Sequence, residues 1–423
     1  MKILIATGSF YPCRDANAIC VKGIASEFVE QGNEVTVLCY RQDSIDIPSE
    51  IDGIRLKSIL PDAAIRMLSF SRGSQSLVAC VARSIGSVAR KMKRFIFLPW
   101  SPMTSPLFSY RYYKILANTY YQGKFDLIVS VFLPFEPSVA AYWLKKKDRN
   151  CSWCLYALDN FENERIPSAI REHCTGHRWI KRFLDCSDGF LIMKSRLSWF
   201  SEHGYKDRLE DIIVSDIPLL GKNSPSRTLK KGHAQMSRDS IWVYAGTFSP
   251  PYYRHEDLFA IFLSLYRSGE AGVLDIYTDQ LSQQTLSRAI KSAGEAVVCH
   301  DVVPHEKLID ILQDADILVS VKYKAEISAK VFEYFETGHP VLHVSGCSED
   351  PCAEYVEAYP FGCVVYPYRE DLAHMIEKVQ LWLEDGCGRN AYRYGDAERE
   401  IADIFKMNDP VYTCHLMLDV VHA

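Results

Sequence analysis

A chain of 423 residues is too long for one ordinary hydrophobic core and predicts two domains of roughly 200 residues each. Its 48% hydrophobic and 24% charged residues exclude global disorder, and its net charge of −5 excludes a chain-wide attraction to nucleic acid or to an anionic membrane. No stretch reaches the roughly 18 apolar residues of a membrane span, and the apolar run Ile3–Ala6 is too short for a signal peptide. We therefore expect a cytoplasmic protein.

The 14 cysteines are scattered, many of them inside apolar runs, which is typical of buried thiols in a reducing compartment. One group has a spacing similar to zinc ligation: Cys151-x-x-Cys154, followed by His173, Cys174 and His177. The first two, however, open a segment with the pattern of a buried strand, which would point them to opposite faces of the sheet. We therefore favour buried thiols over a metal site.

The first 40 residues have the pattern of a strand, a loop, a helix and a second strand. Lys2–Ala6 and Glu34–Tyr40 are short apolar segments typical of buried strands. Between them, Ile19–Gln31 has apolar residues at helical spacing, and Gly32 is placed to end that helix. The segment predicts a right-handed βαβ unit.

The alternation of strands and helices continues to residue 218. The predicted strands are Phe125–Val131, Ser152–Leu158 and Asp188–Met193, and the predicted helices are Ser138–Lys147 and a segment from about Ser195 to His203. Such alternation is typical of a mostly parallel sheet covered by helices on both faces.

A polar, basic segment at 219–239 interrupts this pattern and is predicted to be an interdomain linker. The α/β pattern restarts at residue 240 and continues to 402, and a last helix at about 403–423 is predicted to pack back onto the first domain. The further predicted elements are strands Ser240–Ala245, Val273–Tyr277, Ala296–Cys299, Ile317–Val321 and Val341–Val344, and helices Asp257–Leu265 and Ala329–Thr337. The sequence therefore predicts an α/β protein of two doubly wound, Rossmann-like domains, 1–218 and 240–402, facing across a cleft.

The most informative segment is Ser328–Leu342, in which a helix ends at a Gly-His-Pro turn and enters a buried strand. It resembles the donor-binding signature of the group 1 (family 4) retaining glycosyltransferases, which have the GT-B fold. In that family a glutamate of this helix accepts hydrogen bonds from the donor ribose, and the resemblance implies this role for Glu333. A carboxylate can accept both hydrogens of a vicinal diol. The resemblance also places Val331 among the donor-binding residues; the alternative for Glu333 is a solvated helix glutamate.

The positions just ahead of this helix match the family in part. Many members carry a second glutamate eight positions before the first, where this chain has Ala325. Glu326 lies one residue further on and could take that catalytic place only if the loop shifts. A subset of the family has Ser-x-Lys here, which Ser328 and Lys330 match, and the resemblance implies that Lys330 lies near the diphosphate. The alternative for Lys330 is a surface lysine.

A second segment, Val243–Pro251, resembles the strand and loop that open the family's C-terminal domain. Gly246 would there let main-chain amides approach the diphosphate. Many members have arginine just after this glycine, where this chain has Thr247. Other cations must then neutralise the phosphates, and the candidates are Arg254, Lys322, Lys324 and Lys330.

A third segment, His300–Lys307, resembles the part of the family that lies beside the nucleotide base, with Val303 in the middle of the base platform. Further on, Asp314-x-Asp316 resembles the metal-binding Asp-x-Asp of GT-A enzymes. It lies at a helix end before a strand, and one such motif alone is weak. The GT-B resemblance implies that no metal is needed, so the expected ligand is the nucleotide-sugar donor alone.

In the N-terminal half, Phe10-Tyr-Pro12 resembles the family's opening unit, whose first loop faces the cleft. The Gly-Gly pair of that loop is absent. Gly8, Asp15 and Asn17 are predicted to contact the acceptor or a phosphate. Asp159 follows a predicted strand and is a candidate for positioning the acceptor in catalysis, or alternatively a cap of the next turn.

The resemblance covers most of the chain. It implies transfer of a sugar, with retention at the anomeric carbon, from a nucleotide sugar (UDP first) to a saccharide or lipid-linked saccharide, as in bacterial surface polysaccharide assembly. Residues 84–114 combine a basic helix with aromatic and apolar residues, which favours peripheral contact with the inner face of the cell membrane or, alternatively, an ordinary helix with a basic face.

Two other functions stay open. One is a nucleotide-sugar 2-epimerase, which can share the two-domain fold but would need more His, Asp and Glu residues in the matched motifs. The other is a catalytically degenerate GT-B partner subunit, which Ala325 and Thr247 favour.

Overall fold

The computed structural model divides into two compact units, 1–221 with 407–423, and 222–406. Asp159, Glu326 and almost all of the predicted linker 219–239 lie outside the residues that the structure describes. Those residues are 1–11, 16–41, 46–61, 81, 84–88, 92, 105–132, 134–158, 176–219, 238–248, 253–325, 327–387 and 401–422.

The first unit is built on an eight-stranded sheet. Its strands are β1 (Lys2–Ala6), β2 (Glu34–Tyr40), β3 (Glu50–Ile51), β4 (Ile54–Ile59), β5 (Leu127–Val131), β6 (Ser152–Ala157), β7 (Gly189–Met193) and β8 (Ile213–Ser215). Their order is β3-β4-β2-β1-β5-β6-β7-β8, and only β3 and β4 pair in antiparallel fashion. All five residues of β5 are buried, as expected where helices cover both faces of a parallel sheet.

The second unit has a six-stranded, wholly parallel sheet. Its strands are β9 (Ile241–Ala245), β10 (Val273–Tyr277), β11 (Val297–His300), β12 (Ile317–Lys322), β13 (Val341–Ser345) and β14 (Gly362–Val365). Their order is β11-β10-β9-β12-β13-β14. The carboxyl ends of all six strands therefore lie along one edge of the sheet, where ligands bind in this architecture.

Helices connect the strands of both sheets. In chain order they are α1 (Ala16–Glu30), α2 (Pro106–Gly123), α3 (Glu136–Lys147), α4 (Gly176–Leu184), α5 (Leu197–Glu202), α6 (Glu256–Ser268), α7 (Gln280–Ala293), α8 (His305–Asp314), α9 (Ala329–Thr337), α10 (Pro351–Ala358), α11 (Leu372–Glu384) and α12 (Pro410–His422).

The ends of helix α2 show how local chemistry sets these bounds. The Ser105 hydroxyl accepts a hydrogen bond from Phe108 N–H, and Pro106 occupies the first position, where its missing N–H needs no partner. The helix ends at Lys124, which is left-handed with φ 52°. Tyr112 on this helix is fully buried, and its hydroxyl donates to Leu38 O at 2.8 Å, which ties α2 to the carboxyl end of β2.

Helix α12 belongs to the first unit, although the whole second unit precedes it in the sequence. The hydroxyls of Thr413 and Ser215 are 2.9 Å apart, so α12 is joined to the end of β8. The Cys414 thiol lies 3.6 Å from Ile24 O of α1. Ahead of α12, the Asn408 side-chain amide donates to Ile217 O at 3.1 Å.

Most predicted elements occur within a few residues of their predicted bounds. Lys2–Ala6, Glu34–Tyr40, Val273–Tyr277 and Ala329–Thr337 are confirmed residue for residue. Helix α1 begins at Ala16, not at Ile19. The segment predicted as a helix from Ser195 is a 3-10 turn, Lys194–Arg196, followed by the short α5.

Candidate functional site

Two segments that are distant in sequence meet at the carboxyl end of β9. A Cβ atom built on Gly246 would overlap Lys330 Nζ and lie 3.4 Å from Lys330 Cε and 3.1 Å from the Tyr244 hydroxyl. The ammonium group of Lys330 therefore lies directly against the Gly246 main chain, and only glycine leaves this space open. Gly246 and Lys330 were both predicted to be donor-site residues, and the structure brings them together.

Helix α9 holds Lys330 in this position. The helix begins after Ser328, which has an extended backbone. It ends at Gly338, whose φ of 73° lies in the left-handed region that favours glycine. The hydroxyl of Tyr334, buried on the same helix, accepts a hydrogen bond from Ala245 N–H at 3.1 Å. This bond fixes α9 to the last residue of β9.

The environment of Lys330 makes its protonation labile. Burial lowers the pKa of Lys330 from its ordinary 10.5 to about 8. Nearby Lys322 lowers this pKa further, while Glu333 and Asp279 raise it. Burial is thus the largest influence on this pKa, and it outweighs the opposing effect of the nearby carboxylates.

Lys322 is a second cation at this edge, at the end of β12. It is 3% exposed. Its Nζ lies 3.4 Å from the Tyr253 hydroxyl and 4.9 Å from the centroid of that ring. Tyr253 was not predicted from the sequence, since it follows two prolines in no recognisable motif. The structure therefore supplies two lysines near this edge, Lys322 at the end of β12 and Lys330 on α9, with a tyrosine beside Lys322.

Arg254, another predicted phosphate ligand, is more exposed than the lysines. Its guanidinium lies 5.3 Å from the centroid of the Tyr323 ring and 3.8 Å from a Glu256 carboxylate oxygen. Tyr323 directly follows Lys322, so Arg254 is close to the same edge of the sheet. It already has a carboxylate partner, which makes it a weaker anion ligand than the buried lysines.

The loop after β9 is fixed by its own hydrogen bonds. The Tyr244 hydroxyl donates to Thr247 O at 3.0 Å, and Phe248 N–H donates to the Ser282 hydroxyl at 2.9 Å. Gly246 N–H donates to Tyr277 O at 2.9 Å. Gly246 therefore leaves space for Lys330, while its own amide is used within the sheet.

Other predicted site residues of the second unit differ in how far their side chains are exposed. Glu333 is partly exposed on α9, one turn beyond Lys330. Ser328 is half-buried ahead of α9, and Val331 is fully buried, so that its side chain belongs to the core. Val303 is half-buried in the loop after β11. Gln283 Nε2 holds that loop by donating to Asp301 Oδ1 at 2.9 Å.

Gly8 lies in the first unit, at the carboxyl end of β1. A Cβ atom there would overlap the Pro134 ring, so glycine is again required by space. Nearby, the Tyr40 hydroxyl donates to Glu136 Oε2 at 3.2 Å. Glu136 is a carboxylate that is 1% exposed at the start of α3, where the helix dipole favours a negative charge. Sequence reasoning missed Glu136, because it reads as an ordinary first-turn glutamate.

Two sequence patterns resembled metal sites, Asp314-x-Asp316 and Cys151-x-x-Cys154, and members of both have structural roles. Asp316 Oδ2 accepts Ile241 N–H at 2.8 Å, at the opposite edge of the sheet from Lys330. Cys151 and Cys154 are both buried, and burial raises the pKa of the Cys151 thiol to about 12. Within the described ranges no group of His, Cys, Asp and Glu residues could hold a metal ion; His173, Cys174 and the His177 side chain lie outside them.

No known family model matches the chain, and no curated protein matches it in sequence. Solved structures do match it over its whole length. Sucrose-phosphate synthase from Thermosynechococcus elongatus has a TM-score of 0.60 and 13% identity, with 100% of this chain and 97% of that one covered. The apo lipopolysaccharide outer core galactosyltransferase WaaB has a TM-score of 0.58 and 13% identity, with 100% and 99% covered. The chain has the GT-B fold.

A third GT-B structure is similar to the same extent. It is the UDP-forming α,α-trehalose-phosphate synthase from Burkholderia xenovorans in complex with glucose-6-phosphate, with a TM-score of 0.57, 8% identity and 100% of both chains covered. At these identities the likeness establishes the fold, two Rossmann-like units, and leaves the activity to be argued from the residues.

Gly246→Ala tests the contact on which this site depends. The backbone of Gly246 is not left-handed, so alanine can be accommodated if the flexible end of Lys330 moves and the Tyr244 hydroxyl shifts slightly. We expect the melting temperature to stay within a few degrees. We expect binding of the cognate nucleotide sugar to weaken about tenfold or more, since a displaced ammonium loses its contact. Calorimetric titration measures both proteins; equal affinities would contradict the site.

Proposed function

We propose that this protein is a retaining glycosyltransferase that moves a sugar from a nucleotide-sugar donor to a saccharide or lipid-linked saccharide. The observation that carries the proposal is the Lys330 ammonium lying against Gly246, one helical turn from Glu333, at the carboxyl edge of a GT-B unit. A UDP-sugar is the first donor to test, because the B. xenovorans neighbour is UDP-forming.

In this proposal Lys330 and Lys322 neutralise the departing diphosphate. Charge develops there as the glycosidic bond breaks, and fixed cations in a poorly hydrated site stabilise it strongly. Lys322 and Lys330 would supply the positive charge that a metal ion supplies elsewhere, so we propose a metal-independent reaction. Helix α9 adds the positive end of its dipole at the same place.

Glu333 would bind the donor ribose, and Val303 would lie beside the base. Glu326 and Asp159 stay candidates for catalytic contact with the sugar and the acceptor. We propose retention on the strength of the sequence resemblance, with binding and orientation of the two substrates as the main contribution of the protein.

The first experiment measures thermal unfolding with UDP-, GDP- and CMP-sugars, followed by transfer assays with the nucleotide that binds. A ligand that binds only the folded state raises stability by about 2.7 kcal/mol at 100 times its Kd. We expect one nucleotide class to raise the melting temperature, and NMR of the product to show the anomeric configuration of the donor with and without EDTA. No shift with any donor at millimolar concentration would overturn the assignment.

The same assays separate the two rival functions. A degenerate partner subunit, which Ala325 and Thr247 favour, would bind a nucleotide sugar without transferring it to any acceptor. A nucleotide-sugar 2-epimerase would release the C2 epimer of the donor without an acceptor. Product analysis by NMR distinguishes both from transfer.

An exposed aliphatic stripe supports a membrane-bound acceptor. Ser84–Val88 is helical. The stripe comprises Val81, Ile85, Val88 and Met92, which are 56%, 52%, 56% and 59% exposed. Their spacing is that of one helix face. The sequence adds Arg90, Lys91, Lys93 and Arg94 to the same segment. Aliphatic residues with neighbouring cations suit an anionic lipid surface.

We therefore propose peripheral contact with the inner face of the cell membrane and an acceptor in bacterial surface polysaccharide biosynthesis. In the part of the chain that the structure describes, every helix is too short or too polar to cross a bilayer. A lipid-linked saccharide would then be presented at the surface on which the protein rests. The neighbour WaaB acts in lipopolysaccharide outer core assembly, which supports testing such acceptors.

Vesicle binding tests the stripe. We expect Ile85→Asp/Val88→Asp to reduce co-sedimentation with phosphatidylglycerol vesicles more than tenfold, because each buried aliphatic side chain contributes about 1.5–3 kcal/mol. The matched control is Leu381→Asp, which places the same charge at a residue of α11 that is 60% exposed. Equal vesicle binding by the wild type and the double variant would contradict membrane contact through this stripe.

A further inference from the structure

A chain of buried hydrogen bonds links β13 to the start of α9. His343 on β13 is 0% exposed and Asp350 is 5% exposed, and His343 Nε2 lies 2.7 Å from Asp350 Oδ2. The other carboxylate oxygen, Oδ1, accepts Cys352 N–H at 2.9 Å. The Cys352 sulfur in turn accepts Ser328 N–H at 3.1 Å. Ser328 is the residue at which α9 begins.

His343 is joined to Asp350 through one ring nitrogen. Its Nε2–H donates to the Asp350 carboxylate, and its Nδ1 is buried with no hydrogen-bond partner among the described residues. The bond to Asp350 is therefore the polar contact that orients this ring.

Asp350 does more than cap a helix. As the residue before α10 it needs only the bond from Cys352 N–H to satisfy that helix. The additional bond from His343 fixes the plane of the carboxylate and anchors it to β13. Cys352 lies in the first turn of α10, is 1% exposed, and directs its sulfur to the loop that connects β12 to α9.

We propose that His343, Asp350 and Cys352 are positioning residues that fix the start of α9, and hence Lys330 and Glu333, for the donor. This inference rests on the proposed function. The loop 323–328 joins a strand that ends in Lys322 to the helix that carries Lys330. Its far end is bonded to α10 through Ser328 N–H, which donates to the Cys352 sulfur. Because a misplacement of about 1 Å in a functional group can lower activity about 100-fold, loss of this tether should weaken the function of Lys330 and Glu333.

The test compares Cys352→Ala with Cys363→Ala. Both thiols are buried in the second unit, 1% and 6% exposed, but Cys352 lies on α10, beside Ser328, whereas Cys363 lies on β14. We expect hydrogen exchange of the peptide containing Ser328 to quicken about fivefold in Cys352→Ala alone, the size of one modest hydrogen bond. We expect nucleotide-sugar affinity to fall by a similar or larger factor in the same variant. Cys352→Ser, which retains an acceptor atom, should restore part of both.

Each outcome decides a separate question. Unchanged exchange at Ser328 in Cys352→Ala, or an equal change in Cys363→Ala, overturns the positioning role even if the wild type binds donors well. Faster exchange with unchanged donor affinity also overturns it. Faster exchange in Cys352→Ala alone, in a protein whose wild type binds no nucleotide sugar, leaves the tether intact and removes the proposed function instead.

Discussion

The Glu333→Gln protein should bind its nucleotide sugar about 100-fold more weakly than the wild type while folding normally. Glutamine keeps the shape of glutamate, but its amide offers one acceptor atom and no charge. Hydrogen bonds to charged groups contribute about 1.5–3 kcal/mol each, and a ribose diol makes two of them. Losing one and weakening the other corresponds to about 100-fold in Kd.

A change in the pKa of Lys330 should weaken donor binding by Glu333→Gln further. Glu333 raises the pKa of Lys330, so its removal lets that pKa fall from about 8. A larger fraction of Lys330 is then neutral at pH 8 and cannot attract the diphosphate. The loss of affinity in Glu333→Gln should therefore be greater at pH 8 than at pH 6.5, where Lys330 stays protonated in both proteins.

Glu336→Gln is the matched control, since it makes the same substitution three residues later on the same helix. Both proteins are measured by calorimetric titration with the nucleotide sugar that stabilises the wild type. We expect Glu336→Gln to keep the wild-type Kd within about twofold, because Glu336 lies almost one helical turn further along α9 from Lys330 than Glu333 does. Equal loss in the two variants would show that the charge of α9, and not a bond from Glu333, determines donor affinity.

The interior strands were predictable because both their faces are buried. Segments such as Glu34–Tyr40 and Ile317–Val321 have short apolar runs that are buried on both faces. Strands at or next to the edge of a sheet lack this signal. Strand β4, Ile54–Ile59, buries only Ile54, Leu56 and Ile59 and alternates them with exposed Arg55 and Lys57. Strand β8 has three residues, too few for any periodicity to be read.

The site was predictable only to the extent that its residues lie in contiguous motifs. Gly246 and Lys330 each belong to a local pattern, but their contact depends on the pairing of β9 with β12, which no local pattern contains. Tyr253 belongs to no motif, and Tyr334 lies inside one without a recognised role; both act through hydroxyls that become partners only after folding. The pair of His343 and Asp350 was missed for the opposite reason: His343 stands inside an apolar run, where a buried polar residue reads as part of the strand.

Lys330→Met should lower the rate of sugar transfer about 100- to 1000-fold, the usual effect of removing one group that stabilises charge in the transition state. Methionine retains the length of the aliphatic chain but has no cation to place against Gly246. Donor affinity should fall less than the rate, because the diphosphate gains charge as the sugar departs. Single-turnover kinetics with saturating donor separate the two effects. A Lys330→Met protein with the wild-type rate would remove Lys330 from the mechanism.

Lys330→Met should not lower the stability of the folded protein at neutral pH, although it lowers the rate of sugar transfer. The pKa of Lys330 is about 8 in the folded state and 10.5 ordinarily, so between these values the unfolded chain binds more protons. Stability therefore rises with pH through this window, and the penalty of burying the ammonium is fully present below pH 8. At pH 7 the methionine variant lacks that penalty and should melt no lower than the wild type. This advantage should shrink as the pH rises from 8 to 10.5.

Donor affinity in the wild type should depend on the same pKa, that of Lys330, but should fall with rising pH where the stability of the protein rises. A diphosphate binds the protonated form of Lys330. The Kd should therefore be constant below about pH 8 and should increase by up to about tenfold for each pH unit above it. Lys330→Arg retains a charge throughout this range and should show no such decline. Lys330→Met should bind weakly at every pH. A wild-type decline that persists unchanged in Lys330→Arg would assign the titration to another group. The pH profile, read with the two variants, thus tests whether the cation beside Gly246 is the one that holds the diphosphate.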